Sequence, residues 1–194
     1  DPPHNLEFEK CIYPFLLLSK KRYVGNYYTD FNDDFYTNSM GIVLKRRDNA
    51  PIVKHIYGGV VNILLKHHLS DEFKKVLEKN PDLNVRTYMV KKAQNFVVQE
   101  CKKLLEGKFT MDKFIISKSL RSEYKNEDSI AHKVLANRMG DRDPGNKPKS
   151  NDRIPYAYIV VEEKKGVKIL QGDRIEHPDY IIENNLEVDY LFYL

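Results

Sequence analysis

The apolar positions of the chain change period along its length, and the changes divide it. Between Leu6 and Thr29, "LEFEKCIYPFLLLS" and "KRYVGNYYT" carry β-branched and aromatic residues at alternating spacing, which predicts two strands joined tightly near Ser19 and Lys20. Residues 30–39, "DFNDDFYTNS", are polar and turn-rich and predict an irregular break. Beyond it the period lengthens toward 3.6. Ile52, Val53, Ile56, Tyr57, Val60, Val61, Leu64 and Leu65 fall at helical spacing within residues 51–68, with Pro51 at the start, where its missing N–H is not needed. Ser70 predicts the cap of a shorter helix opening "DEFKKVLEK". "VRTYMVKKAQNFVVQECKKLLEG" reads as a long amphipathic helix stopped by Gly107, with Lys102 and Lys103 suited to its C-terminal dipole.

The remainder mixes both periods. A turn at Thr110, a strand over "FIISKSL", a helix over "DSIAHKVLANRMG" ending at Gly140 and a loop over "DRDPGNKPKSNDR" follow in order. "IPYAYIVVEEKKGVKIL" predicts a hairpin turning around Lys164 to Gly166, and "HPDYIIENN" a short last helix after Pro178. The predicted class is α+β: an antiparallel β-hairpin, then a mainly helical body with a small β subdomain.

Composition adds the size of the core and the placement of charge. With 194 residues, 41% of them hydrophobic, the chain suffices for one sizeable domain or two small ones. The net charge of +4 is mild but unevenly placed: residues 71–150 hold 18 of the 32 Lys and Arg against 12 of the 28 Asp and Glu, whereas residues 151–194 hold 5 against 9. A basic middle fits an anionic partner such as nucleic acid, and it fits a solvated helix face equally well. The cations of "SKKRY" pose the same choice between a protected strand edge and a surface that holds a polyanion. Cys11 and Cys101 stand far apart without C-x-x-C spacing, so the expectation is two free, buried thiols in a reducing compartment. No apolar run reaches 18 residues, no signal pattern opens the chain and no N-x-S/T acceptor occurs, which predicts a soluble intracellular protein with no membrane partner. The opening "DPPHNLEFEK", without Met and leading almost directly into a strand, suggests a piece of a longer protein.

Self-sufficient catalytic motifs are missing: there is no G-x-G-x-x-G, no G-x-x-x-x-G-K-[ST] and no H-E-x-x-H. Adjacent His67 and His68 point about a third of a turn apart on a helix and read as a polar helix end rather than a chelate. Asp33 and Asp34 read as turn formers rather than magnesium ligands. What remains is a series of basic and aromatic clusters, "KKRY", "LKRRDNAP", "SKSLR", "RMGDRDPG" and "NDRIPY", each of which alone is what solvated cations beside turns would give.

Their order carries more. "LEFEKCIYPFLLLSKKRYVG" resembles the palm hairpin of family B DNA polymerases with its K-K-R-Y-[AV]-G motif, and "GIVLKRRDNAPIV" is similar to that family's G-x-x-x-x-R-R-D-x-x-P segment. "SKSL", "AHKVLANRM" with "RDPG", and "GDRIEHPDYIIENNLEVDYLFYL" resemble successive thumb landmarks in the same order, so the likeness covers nearly the whole chain. It is of the polymerase delta-like kind found in eukaryotes and large DNA viruses. The resemblance implies a palm-edge hairpin over residues 1–40 and a thumb over 41–194, with a helical body at about 48–140 and a small β unit at about 150–194. It implies primer-end contacts at Lys21 and Tyr23. Residues two apart on a strand share a face, so the pair would reach one groove while Arg22 points away. Lys21 would donate to minor-groove acceptors common to every base pair, and Tyr23 would position the primer's terminal phosphate.

Arg46 and Arg47 match the place where palm gives way to thumb and meets the duplex, with a salt bridge from Arg46 to Asp48 equally open. Lys118, His132, Arg138 and Arg153 match basic family positions along the primer–template backbone. Asp152 is expected to orient Arg153, and Tyr190 and Tyr193 to pack. The family's Asp-Thr-Asp-Ser sequence, with a metal-binding aspartate, is absent from this chain. The expectation is a duplex-binding polymerase segment that lacks its own catalytic aspartates and needs no cofactor itself. Mg2+ is expected for the full polymerase, and the remaining palm, fingers and exonuclease are expected partners, in the same chain or a split one. The place implied is the nucleus or a viral replication site. A non-catalytic DNA-binding module derived from a polymerase thumb is the alternative, and an RNA-binding or protein-interaction domain a third.

Overall fold

The computed structural model describes residues 7–30, 34–45, 48–162 and 169–194. These form a mixed α/β fold with two three-stranded antiparallel sheets and five α-helices. The chain divides into two compact units, Asp1–Arg46 with Ile56–Val97, and Arg47–His55 with Val98–Leu194.

The first unit holds strands β1 (Cys11–Ser19), β2 (Arg22–Tyr28) and β3 (Tyr36–Met40) in the order β1-β2-β3. β1 alternates half-buried Ile12, Pro14 and Leu16 with exposed Cys11, Tyr13, Phe15 and Leu17. Cys11 is therefore an exposed free thiol and Cys101 a half-buried one, which corrects the expectation of two buried thiols. The β1–β2 register slips between Ile12 and Phe15, around Pro14, which has no N–H to give the ladder. Val24 and Leu16 pack with Ile42, Val61 and Leu65, joining the sheet to helix α1 (Pro51–Lys66). The fully buried Asn26 is satisfied by donating to the Leu65 carbonyl at 3.0 Å and accepting from the Thr37 hydroxyl at 2.9 Å.

β3 lies in the segment expected to be irregular. Its partners are the reason: Tyr36 to Met40 pair with Tyr27 to Tyr23, and the Tyr36 ring stacks on Tyr27 at 5.5 Å. Cross-strand pairing outweighs the poor strand preference of Asn38 and Ser39. Helix α2 (Asp71–Lys79) starts as expected, with Ser70 Oγ accepting from the Phe73 amide at 3.2 Å. α3 (Val85–Leu105) is capped by Asn84, whose Oδ1 accepts from the Thr87 amide at 3.0 Å, and ends at Gly107 with φ +66°. His67 follows α1 in a 3-10 turn and packs against Phe73 and Tyr88, so it is a packing residue as well as a helix end.

The second unit holds β4 (Ile116–Ser119), α4 (Ala131–Arg142), β5 (Arg153–Tyr158), β6 (Ile175–Glu176) and α5 (Pro178–Glu183), with sheet order β4-β5-β6. α4 runs through Gly140 to Arg142 instead of stopping at the glycine. The expected turn at Lys164 to Gly166 lies outside the described residues; Ile169 and Leu170 are not strand, and β5 takes β6 as its second partner. Phe114, Ile116, Leu135, Ile154, Tyr156 and Ile175 are buried in this unit's core. Tyr193 closes it, as its hydroxyl donates to the Phe114 carbonyl at 2.8 Å and accepts from the Tyr158 amide at 3.0 Å. Tyr190 packs its ring 5.3 Å from that of Phe114.

Candidate nucleic-acid interface

In the first unit the β1–β2 connection is a two-residue turn. Ser19 pairs with Arg22, so Lys20 and Lys21 form the turn and Lys21 takes a left-handed φ of +61°. Lys21 therefore stands outside the strand, and strand parity does not relate its side chain to that of Tyr23. A glycine supports the turn: Gly41, at φ +64°, comes so close that a Cβ there would collide with the Lys21 carbonyl oxygen. Lys20, Lys21 and Arg22 are exposed. Tyr23 is half-buried, 5.6 Å ring to ring from Phe15, and shares a side-chain hydrogen bond with Tyr27, whose phenol burial pushes up.

In the second unit three of the expected residues come together. Lys118, His132 and Arg153 line one open groove of about 640 Å³, with Asp48, Arg121, Tyr124, Asn151 and the Ser117–Ser119 edge. The β4–β5 register places Ser119 opposite Arg153 and Lys118 opposite Ile154. Arg153 donates from Nε to Ser117 Oγ at 3.1 Å, from Nη1 to Ser119 Oγ at 3.2 Å and from Nη2 to the Ser117 carbonyl at 2.5 Å. Neutral acceptors thus hold the guanidinium in place without cancelling its charge. Asp152 has a different task from the one expected, since its carboxylate accepts from the Lys149 amide at 2.7 Å and shapes the preceding loop. Among the described residues, Lys118 and Arg121 form no ion pair, so the groove keeps a basic surplus.

His132 enters from the first turn of α4, whose N-cap, Ile130, offers no side-chain hydrogen bond. Burial lowers its pKa, the nearby Lys118 and Arg121 charges add to this, and a hydrogen bond to the Ser119 backbone opposes it. Tyr124 Oη lies 3.2 Å from His132 Nε2 and accepts from the Arg121 amide at 2.7 Å. Arg121 and Tyr124 were not singled out from the sequence. Arg121 stands in the quoted cluster "SKSLR", while Tyr124 lies in an irregular stretch with no periodic signal.

Arg138 does not join the groove. It donates from Nη2 to the carbonyls of Ile175 at 2.5 Å and Gly172 at 3.2 Å, and its Nε lies 3.3 Å from the buried Glu176 carboxylate. Arg142 donates to the same carboxylate at 2.9 Å and stacks on the Tyr180 ring at 3.5 Å. Arg46, Arg47 and Asp33 lie outside the described residues. Among the described residues no three His, Cys, Asp or Glu side chains gather as a metal-holding group. Among them, too, no helix is long and apolar enough to cross a membrane.

The chain is one with a basic groove in one unit and an exposed cationic turn in the other. Comparison with known proteins identifies the kind: residues 1–194 match the profile of DNA polymerase family B, and the chain belongs to that family. It is 48% identical over 192 residues to the DNA polymerase of Pyramimonas orientalis virus and 50% identical over 194 residues to that of Acanthamoeba polyphaga mimivirus. It is 34% identical over 193 residues to the DNA polymerase delta catalytic subunit of Schizosaccharomyces pombe. Each match covers 99% of this chain but only 14%, 10% and 15% of the respective relative. The family B DNA polymerase of the hyperthermophilic archaeon Pyrobaculum calidifontis shares the fold, with a TM-score of 0.62 at 19% identity over 92% of this chain and 19% of that one.

Proposed function

We propose that this chain is the primer–template-binding segment of a family B DNA polymerase, with a palm-edge hairpin over residues 1–40 and a thumb over 41–194. The observation that carries the reading is the second-unit groove, where Lys118, Arg121 and Arg153 bring three positive charges to one surface against the single carboxylate of Asp48 among the described residues. Such a surface binds phosphates independently of sequence and weakens with salt. Lys21, displayed on the exposed β1–β2 turn, and Tyr23 are assigned to the primer end. Arg46 and Arg47 are assigned to the duplex on the family pattern "KRRD" alone. Arg138 acts indirectly, by fixing the Gly172–Ile175 loop beside α4.

The whole enzyme would transfer nucleotides with Mg2+ held by aspartates elsewhere in the polymerase, in the nucleus or at a viral replication site. This chain's own residues bind and orient the duplex, and no step of theirs passes through the metal. The rest of the polymerase is the expected partner. Support comes from the first sheet, where Tyr13, Phe15, Leu17 and Met40 leave apolar surface exposed for a neighbouring segment to cover. The test is to mix the purified chain with labelled primer–template, nucleotides and Mg2+. Salt-sensitive duplex binding without primer extension is expected; extension by the chain alone would overturn the assignment.

A further inference from the structure

The groove contains a second device besides its fixed charges. The oxygen of Tyr124 accepts from the Arg121 amide at 2.7 Å and lies 3.2 Å from His132 Nε2, so the phenol can donate to Nε2 of a neutral imidazole or accept from Nε2–H of a protonated one. With the groove empty, burial and the neighbouring cations favour the neutral imidazole, with Nε2 accepting from the Tyr124 hydroxyl. The groups around it are mostly cations, Lys118 on β4, Arg121 beyond β4 and Arg153 on β5; the Ser119 backbone hydrogen bond opposes their effect, and Asp48 is the one carboxylate lining the groove among the described residues. On α4 itself, Lys133 is paired with Glu127, and Arg138 and Arg142 with Glu176. Burial and the Lys118 and Arg121 charges depress the imidazole pKa while the groove is empty. A phosphate among the same side chains would reverse that local field.

We propose that seating a nucleic-acid phosphate in this groove is coupled to uptake of one proton by His132, with Tyr124 as the relay. The proton comes from solvent and lodges on Nε2. Nε2–H then donates to the Tyr124 oxygen, and the Tyr124 hydroxyl, released from His132, turns its own proton toward a phosphate oxygen as a hydrogen bond. No bond to phosphorus changes. The groove thus gains a cation only when it is occupied, and its hold on DNA tightens as pH falls through the histidine range.

This proposal rests on the reading of the groove as a phosphate site, and one set of measurements separates the two. Calorimetric titration of the chain with primer–template duplex, in buffers of different ionisation enthalpy between pH 6 and 8, counts protons taken up. Affinity should weaken by up to about tenfold per pH unit across the window where free and bound His132 differ in protonation. His132→Gln, checked for folding by its thermal melt, should lose that part of the uptake and bind more weakly at pH 6. His132→Lys should bind with no such pH dependence. If His132→Gln keeps the wild-type uptake, or the wild type shows none while neutralising Lys118, Arg121 and Arg153 still weakens binding, the relay is overturned and the phosphate groove stands. If that neutralisation leaves duplex affinity unchanged, both are overturned.

Discussion

Changing Lys118, Arg121 and Arg153 together to Gln removes three positive charges that line one groove, and its effect can be worked from their number. Each phosphate contact contributes about 0.9 to the slope of log affinity against log salt on duplex DNA, so three contacts account for a slope of about 2.7. Raising salt from about 50 to 200 mM should then shrink the wild type's advantage over the variant by about 40-fold. The structural cost is small, because Arg153 is exposed and its acceptors, Ser117 and Ser119, are half-buried and exposed. Fluorescence anisotropy with a labelled primer–template, run at pH 8 to keep His132 neutral, reads both slopes. A slope unchanged within about 0.5 in the variant would refute the assignment of these side chains to phosphate.

Three further outcomes follow from individual residues. Tyr193→Phe leaves the buried Tyr158 amide and Phe114 carbonyl without their shared partner, which should cost about 2–4 kcal/mol in urea unfolding; a loss under about 0.5 kcal/mol would contradict the bonding described. Lys21→Ala in the complete polymerase should slow primer extension and weaken primer-end discrimination more than Arg22→Ala does, and equal effects in single-turnover assays would count against a primer-end role. Chain stability should be complete above about pH 6.5 and decline as pH falls through the depressed values of His67, His68 and His132, each lowered chiefly by burial. The unfolded chain binds more protons than the folded one in that window, so the sign is loss with acid; thermal melts that stay flat from pH 7 to 5 would contradict it.

Elements with local signals were legible in the sequence. Ser70 and Gly107 mark helix ends because capping is decided within a few residues, and the apolar stripe of α1 has its buried face at Ile52, Val61 and Leu65. β3 was not legible, because what makes Tyr36 to Met40 a strand is its pairing with Tyr27 to Tyr23 on β2 and a ring stacked on Tyr27. The strand boundary at Arg22 was misplaced by one residue, enough to change how Lys21 relates to Tyr23. Family resemblance pointed to Lys118, His132 and Arg153, which the fold gathers in one groove, and also to Arg138, whose charge the fold turns inward to Glu176. Tyr124 could be found only once the chain was folded, since its role depends on reaching His132 across the start of α4.

The proposed function of this segment of a family B polymerase is to grip duplex DNA. It is tested most directly by titrating the purified chain with primer–template duplex and with single-stranded RNA at matched length and several salt concentrations. Tighter binding to the duplex is expected at every salt concentration, with log affinity falling linearly in log salt; a preference for single-stranded RNA would contradict the proposed duplex grip.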